Sequence, residues 1–134
     1  MATALLFVVP LCSSVVIAPY ADYVRSTGAD LSSKFCVDVD AWPVSHQHVN
    51  AECAALAAEL FRLNHSAVHH EQALANLWWL ANETASTRVA DFFTPFPTLH
   101  ALRTLNAAGR SVPPPLEAGL RRFAEAAFRP APQK

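Results

Sequence analysis

The sequence contains few glycines, with only Gly28, Gly109 and Gly119 among 134 residues. Phosphate-binding loops need several glycines in a tight turn, and the nucleophile elbow of hydrolases needs glycines around a serine in G-x-S-x-G. Neither pattern occurs in this chain. We therefore predict no catalytic residue, no cofactor-binding residue and no bound cofactor, and we expect that the protein is not an enzyme.

Charged residues are also scarce, at 16% of the chain with a net charge of −1. The largest cluster of cations is the pair Arg121 and Arg122, whereas binding to phosphate backbones needs several cations on one surface. We expect no nucleic-acid partner and no small-molecule ligand. Hydrophobic residues make up 52% of the chain, and such a composition with little charge favours association with other protein subunits.

The chain has three cysteines and no C-x-x-C spacing, which excludes a zinc ribbon and a thioredoxin-type site. Cys12 lies in an apolar N-terminal run, so Cys36 and Cys53 remain as a potential pair. We expect all three thiols to stay reduced as small buried groups. A disulfide between Cys36 and Cys53 is the alternative.

Histidine is the one polar residue type that stands out, with six copies. His65 and His69 are four residues apart, a spacing that places two zinc ligands on one helix face, and His46 and His48 could add ligands. A predicted helix break at residues 64–66 spoils that geometry, and no H-E-x-x-H motif is present. We predict no metal site.

The run from Ala2 to Tyr20 carries no charge, and three interpretations compete for it. In the first interpretation, it forms a strand, Leu5 to Val9, followed by a helix from about Ser14 that ends at Gly28. In the second, it contacts a membrane through residues 2–20. In the third, it is a signal peptide, although no Lys or Arg precedes Arg25.

The segment from Lys34 to Asp40 alternates apolar and polar residues, which predicts a half-buried strand. Strand, helix and strand form a βαβ unit. The predicted fold class is therefore mainly α with a small N-terminal βαβ unit (α/β). An all-α fold with an apolar N-terminal helix is the alternative.

The central stretch from Val49 to Ala81 predicts two helices joined at Asn64-His65-Ser66. The first carries an apolar stripe at helical spacing: Val49, Cys53, Leu56, Leu60 and Leu63. In the second helix, Leu77 and Trp78 share a face, while Trp79 and Leu80 point the other way. A helix that is apolar on two sides needs two covering surfaces.

Near the C-terminus, Pro95 and Pro97 interrupt an apolar loop, and a helix is predicted from Thr98 to Ala108 and another from Pro115. We predict one domain over residues 1–129 and a tail over 130–134. The domain is divided into a strand-helix-strand unit (1–40), a central helical pair (47–93) and two short helices (98–129).

We predict a non-catalytic accessory or structural subunit that docks through apolar helical surface in a larger multiprotein complex, with the mitochondrion as its expected location. The predicted interface residues are Trp78, Trp79, Leu80, Phe92, Phe93 and Phe96. The alternative is a secreted or viral-type glycoprotein with a signal peptide and a Cys36–Cys53 disulfide. Asn64-His65-Ser66 and Asn82-Glu83-Thr84 match the glycosylation sequon, but we expect a glycan at either site to block helix packing.

Overall fold

The computed structural model describes residues 19–41, 46–83 and 94–127. These ranges are mainly helical and contain no strand, which confirms the mainly α part of the predicted fold class. Helix α1 spans 19–35, and consists in part of a π-helical turn, Val24–Gly28, that leads into an α-helical segment, Ala29–Phe35. The other helices are α2 (Gln47–Asn64), α3 (Ala67–Glu83), α4 (Pro95–Ala107) and α5 (Pro114–Ala127).

The predicted βαβ unit is wrong over the residues that the structure describes. Gly28 does not end a helix, because its backbone is right-handed helical (φ −64°, ψ −41°) and α1 continues through it. A Cβ at this position would lie 3.0 Å from Leu56 Cδ1, so glycine serves the close approach of α1 to α2. The first predicted strand, Leu5 to Val9, lies outside the described residues, as does nearly all of the run proposed to contact a membrane.

The second predicted strand is replaced by the end of α1 and a turn. After Cys36, an Asp38 carboxylate oxygen accepts a hydrogen bond from the Asp40 backbone N–H at 2.9 Å, and the Ala41 N–H bonds to the Asp38 carbonyl. Short polar side chains that bond their own backbone favour turns over strands. The apolar–polar alternation is too short to overcome this local bonding without a neighbouring strand.

Cys36 and Cys53 form a disulfide, with their Cα atoms 5.5 Å apart, so the expectation that all three thiols stay reduced is wrong. Cys36 caps the C-terminal end of α1, and Cys53 lies on the face of α2 that α1 covers. Both cysteines are buried. Because the end of α1 meets the first half of α2, the two thiols that sequence spacing left as a pair come within bonding distance.

Helix α2 lies at the centre of the fold, since α1, α3 and α4 all pack on it. Four alanines of this helix have an exposed fraction of 0%: Ala51, Ala54, Ala57 and Ala58. The predicted stripe of larger residues is only partly buried, because Val49, Leu56 and Leu63 keep some exposure while Cys53 and Leu60 do not. Small side chains let neighbouring helices approach closely, and this explains why the alanine face is the inner one.

Helices α2 and α3 form a hairpin whose two-residue connection, His65 and Ser66, falls where the sequence predicts the break. His65 takes a left-handed conformation (φ 54°), and its N–H bonds to the Phe61 carbonyl at 2.7 Å. This bond closes the last turn of α2 in the usual manner of a helix C-terminus. Helix α5 then packs on α3, so the same chain supplies a second cover for the tryptophan-bearing helix.

Helix α4 begins three residues before the predicted start. Thr94 is its N-cap, and Pro95 and Pro97 lie within its first turn. The first four N–H groups of a helix have no intrahelical partner, so proline costs little there, and the prolines start the helix instead of interrupting it. Thr98 is buried, and its hydroxyl donates to the Thr94 carbonyl at 2.9 Å.

Candidate protein-docking surface

The structure separates the predicted interface residues into inner and outer positions. Leu80 is fully buried in the core, and Trp79 is half-buried against the same core. Trp78 keeps 36% of its surface exposed, and Phe96 keeps 59%. Phe92 and Phe93 lie outside the described residues. Leu80 therefore packs inside the protein, while Trp78 and Phe96 remain accessible on different helices.

Phe96 belongs to an apolar groove between the first half of α4 and the second half of α5. We call this feature the Phe96 groove. Its lining comprises Pro95, Phe96, Thr98, Leu99, Leu102, Leu120, Phe123 and Ala124. The groove encloses about 150 Å³, and Leu99 on its rim is 48% exposed. An apolar cavity of that size is known to accept a benzene-sized ring, so one large apolar side chain fits here.

The helices that form this groove are anchored to the core. Leu120 and Phe123 are buried members of the core on α5, and Ala101 and Leu105 are buried on α4. Apolar side chains presented from helices held in this way lose little freedom on binding, which reduces the entropic cost of association. The groove therefore meets a physical requirement for a specific apolar contact.

A second exposed apolar surface follows helix α1 and was missed by the sequence analysis. Tyr23 and Leu31 are 62% and 43% exposed, and Tyr20 and Phe35 are exposed as well. Leu31 and Phe35 border a groove of about 300 Å³ beside the disulfide, which also includes Val49 and Leu56. Helical spacing of Tyr20, Tyr23, Leu31 and Phe35 could have revealed the surface, but only if α1 had been predicted to continue beyond Gly28.

Polar side chains join α1 to α3 at the edge of a groove of about 510 Å³. The Ser32 hydroxyl donates to Gln72 Oε1 at 3.1 Å, and Gln72 Nε2 donates to the Cys36 carbonyl at 2.6 Å. Ser32 is itself buried. Both polar groups of the Gln72 side chain therefore hold α1 and α3 together, and the Gln72 hydrogen bonds at the edge of this groove stabilise the fold.

Glu59 is the centre of a cluster that joins α2 to α4. Its side chain is 12% exposed, and its carboxylate contacts Arg62 at 2.7 Å and His100 Nε2 at 3.0 Å. The Thr104 hydroxyl donates to the same carboxylate at 3.4 Å and lies 3.5 Å from His100 Nε2. Because Glu59 already engages that imidazole nitrogen, the nitrogen is not placed to activate the hydroxyl. The Arg62–Glu59 ion pair lies within α2, and the contacts of Glu59 with His100 and Thr104 join α2 to α4.

The histidines at the α2–α3 turn pack against an aromatic side chain. The rings of His65 and His70 lie 5.9 Å and 5.1 Å from the Phe61 ring, measured between centroids. His69 lies on the other side of the helix break, in α3. Across residues 19–41, 46–83 and 94–127, no three His, Cys, Asp or Glu side chains are grouped so that they could hold a metal ion.

No helix in the described ranges is long and apolar enough to cross a membrane. No protein family, curated protein or solved structure matches the chain.

Proposed function

We propose that the chain is a non-catalytic helical subunit that binds another protein through the Phe96 groove. The observation that carries this proposal is the exposure of Phe96 and Leu99 beside an apolar groove on anchored helices. A partner that inserts one phenylalanine or leucine into the groove would bury both exposed side chains. Such buried apolar anchors commonly supply most of the energy of an interface.

An amphipathic helix is the partner element that best fits a groove formed by two helices. Recognition of this kind places apolar residues at helical spacing into a hydrophobic groove. Ridges of the partner helix would lie between α4 and α5, as in ordinary helix packing. We therefore assign an amphipathic helix of another protein as the occupant.

We further propose that the protein works outside the reducing cytosol. Disulfides persist in oxidising compartments and are rare in proteins of the cytosol and nucleus. The Cys36–Cys53 bond supports the secreted alternative over a location where thiols stay reduced. Docking and secretion are compatible, because a small helical subunit can leave the cytosol before it binds its partner.

Photo-crosslinking of the full chain tests the docking surface. Phe96 or Leu99 is replaced by a photoreactive phenylalanine analogue, and the matched control positions are Tyr23 and Leu31, which are similarly exposed on α1. We expect one dominant crosslinked protein from the groove positions and none from the control positions. The crosslinked protein, once purified, should form a complex of fixed stoichiometry in light scattering, and Leu99→Ser should weaken it at least tenfold.

Two results would overturn the assignment. Crosslinks from Tyr23 and Leu31 but not from the groove positions would move the interface to α1. A chain that remains monomeric and crosslinks to nothing from any of the four positions would remove the docking function. A melting curve of Leu99→Ser equal to that of the unmodified chain would show that any loss of binding is not a loss of folding.

A further inference from the structure

Two asparagines in the chain stand in glycosylation sequons, and the structure places both at the surface. Asn64 is the last residue of α2, and Asn82 is near the end of α3; both are exposed. Asn50 and Asn76, which have no sequon, are 1% exposed. The expectation that a glycan at either sequon would block helix packing is therefore wrong, because both side chains point away from the core.

The structure describes all three residues of the sequon Asn64-His65-Ser66, which lies where α2 ends. His65 is exposed and left-handed, and Ser66 separates the two helices of the hairpin. The backbone therefore leaves the helix directly after Asn64, and the carboxamide lies at the tip of a turn. The Asn64 side chain makes no hydrogen bond to the part of the chain that the structure describes, so modification of its nitrogen costs no native contact.

The disulfide adds an independent observation, because Cys36–Cys53 indicates an oxidising compartment such as the endoplasmic reticulum lumen. Sequon glycosylation occurs on surface loops of proteins that pass through that compartment. We infer that Asn64 carries an N-linked glycan. This inference rests on the compartment proposed above, and it does not depend on the docking surface.

The reaction joins Asn64 Nδ2 to the anomeric carbon of an oligosaccharide donated by a lipid pyrophosphate carrier. The new bond is a carbon–nitrogen glycosidic bond, and the bond that breaks joins the sugar carbon to the pyrophosphate oxygen. Nδ2 loses one proton, and the lipid pyrophosphate leaves with the bonding electron pair. No oxidant or reductant is needed.

The test expresses the full chain behind a cleavable leader in eukaryotic cells, so that entry into the lumen does not depend on residues 1–18. Peptide mapping after digestion with a glycan-removing amidase, which leaves aspartate at each modified site, reads out occupancy. We expect modification at Asn64, complete loss of it in Asn64→Gln and Ser66→Ala, and retention in Ser66→Thr. Asn106→Gln is the matched control, since Asn106 is exposed and has no sequon.

An unmodified Asn64 in a secreted chain would overturn the inference, and modification at Asn82 in the same molecules would show that the machinery had access to the protein. Equal occupancy in Ser66→Ala and the unmodified chain would also overturn it. Loss of the Phe96 groove crosslinks would not affect this result, so failure of the docking function and failure of the glycan site are distinguishable.

Discussion

Gly119 on α5 meets Ala81 on α3 at a distance that leaves no room for a side chain. A Cβ built on Gly119 would lie 2.8 Å from the Ala81 Cβ and 3.6 Å from its Cα. Ala81 is 5% exposed, so neither residue can move toward solvent without separating the helices. The small size of both residues fixes how closely the last helix packs on the hairpin.

Gly119→Ala should therefore destabilise the protein, although alanine is the better helix former. Helix propensity would contribute about 1 kcal/mol in favour of the variant, and overpacking typically costs ~1–3 kcal/mol. Urea unfolding measures the net change. The double variant Gly119→Ala with Ala81→Gly should recover part of the loss, whereas purely additive effects would contradict the proposed contact.

Glu59 joins α2 to α4 through its contacts with His100 and Thr104. Glu59→Ala removes the partner of Arg62, His100 and Thr104 together, and we expect a loss of ~1–2 kcal/mol in the free energy of unfolding. Glu117→Ala is the control, because its ion pair with Arg121 is exposed and should contribute less than about 0.5 kcal/mol. Equal losses for both variants would show that burial of Glu59 is unimportant.

At the scale of the helices, the local signals in the sequence were most informative where packing and backbone preference agree. The break at residues 64–66 lies at the observed hairpin, and Pro115 lies in the first turn of α5, as predicted. Gly28 gave a wrong prediction of a helix end, because glycine serves both helix ends and close approaches between helices. Lys34 to Asp40 gave a wrong prediction of a strand, because a seven-residue alternation does not distinguish a strand from a helix end followed by a turn.

The candidate docking surface could be predicted only in part for a similar reason. Phe96 was identified from its aromatic neighbours, but its groove also needs Leu120 and Phe123, which lie more than twenty residues further along the chain. Leu80 was expected at the interface because it lies with Trp79 on the second apolar face of the helix, yet the packing of α5 on α3 leaves it fully buried. Such contacts depend on how helices are arranged, which helical periodicity does not specify.

Helix α3 presents Trp78 and Leu80 to different environments, and this difference can be measured. Leu80→Ala should cost ~2–5 kcal/mol, because a fully buried leucine leaves a cavity when it is truncated. Trp78→Ala should cost at least 1 kcal/mol less, since a third of the indole-bearing residue is exposed. Thermal melts of both variants provide the comparison. A larger loss for Trp78 would place its ring in the core.

At the scale of the whole molecule, α1 is attached differently from the other helices. It packs on α2 and is joined to α3 through Gln72, and the Cys36–Cys53 disulfide fixes its C-terminal end. Helices α2 to α5 share the main core cluster, in which α1 has no residue. The bundle of α2 to α5 is therefore the more self-sufficient part of the described fold.

The double variant Cys36→Ser with Cys53→Ser should lower the free energy of unfolding by about 3 kcal/mol, the expected value for a loop of this length. Hydrogen exchange should show faster exchange in residues 19–35 and little change in α2 to α5. Cys12→Ser is the control and should leave exchange in α1 unaltered. Uniform acceleration throughout the bundle would indicate that α1 belongs to the same cooperative unit.

The alanine face of α2 restricts how this protein can change over evolutionary time. An alanine can be replaced by a smaller residue only by introducing glycine, and a larger side chain would push apart the helices that share this core with α2. Tolerated variation should consequently accumulate at outer leucines and valines such as Leu63 and Val68, while Ala54 and Ala58 admit almost none. In a saturation library scored for folding, we expect positions 54 and 58 to reject nearly every replacement and positions 63 and 68 to accept many.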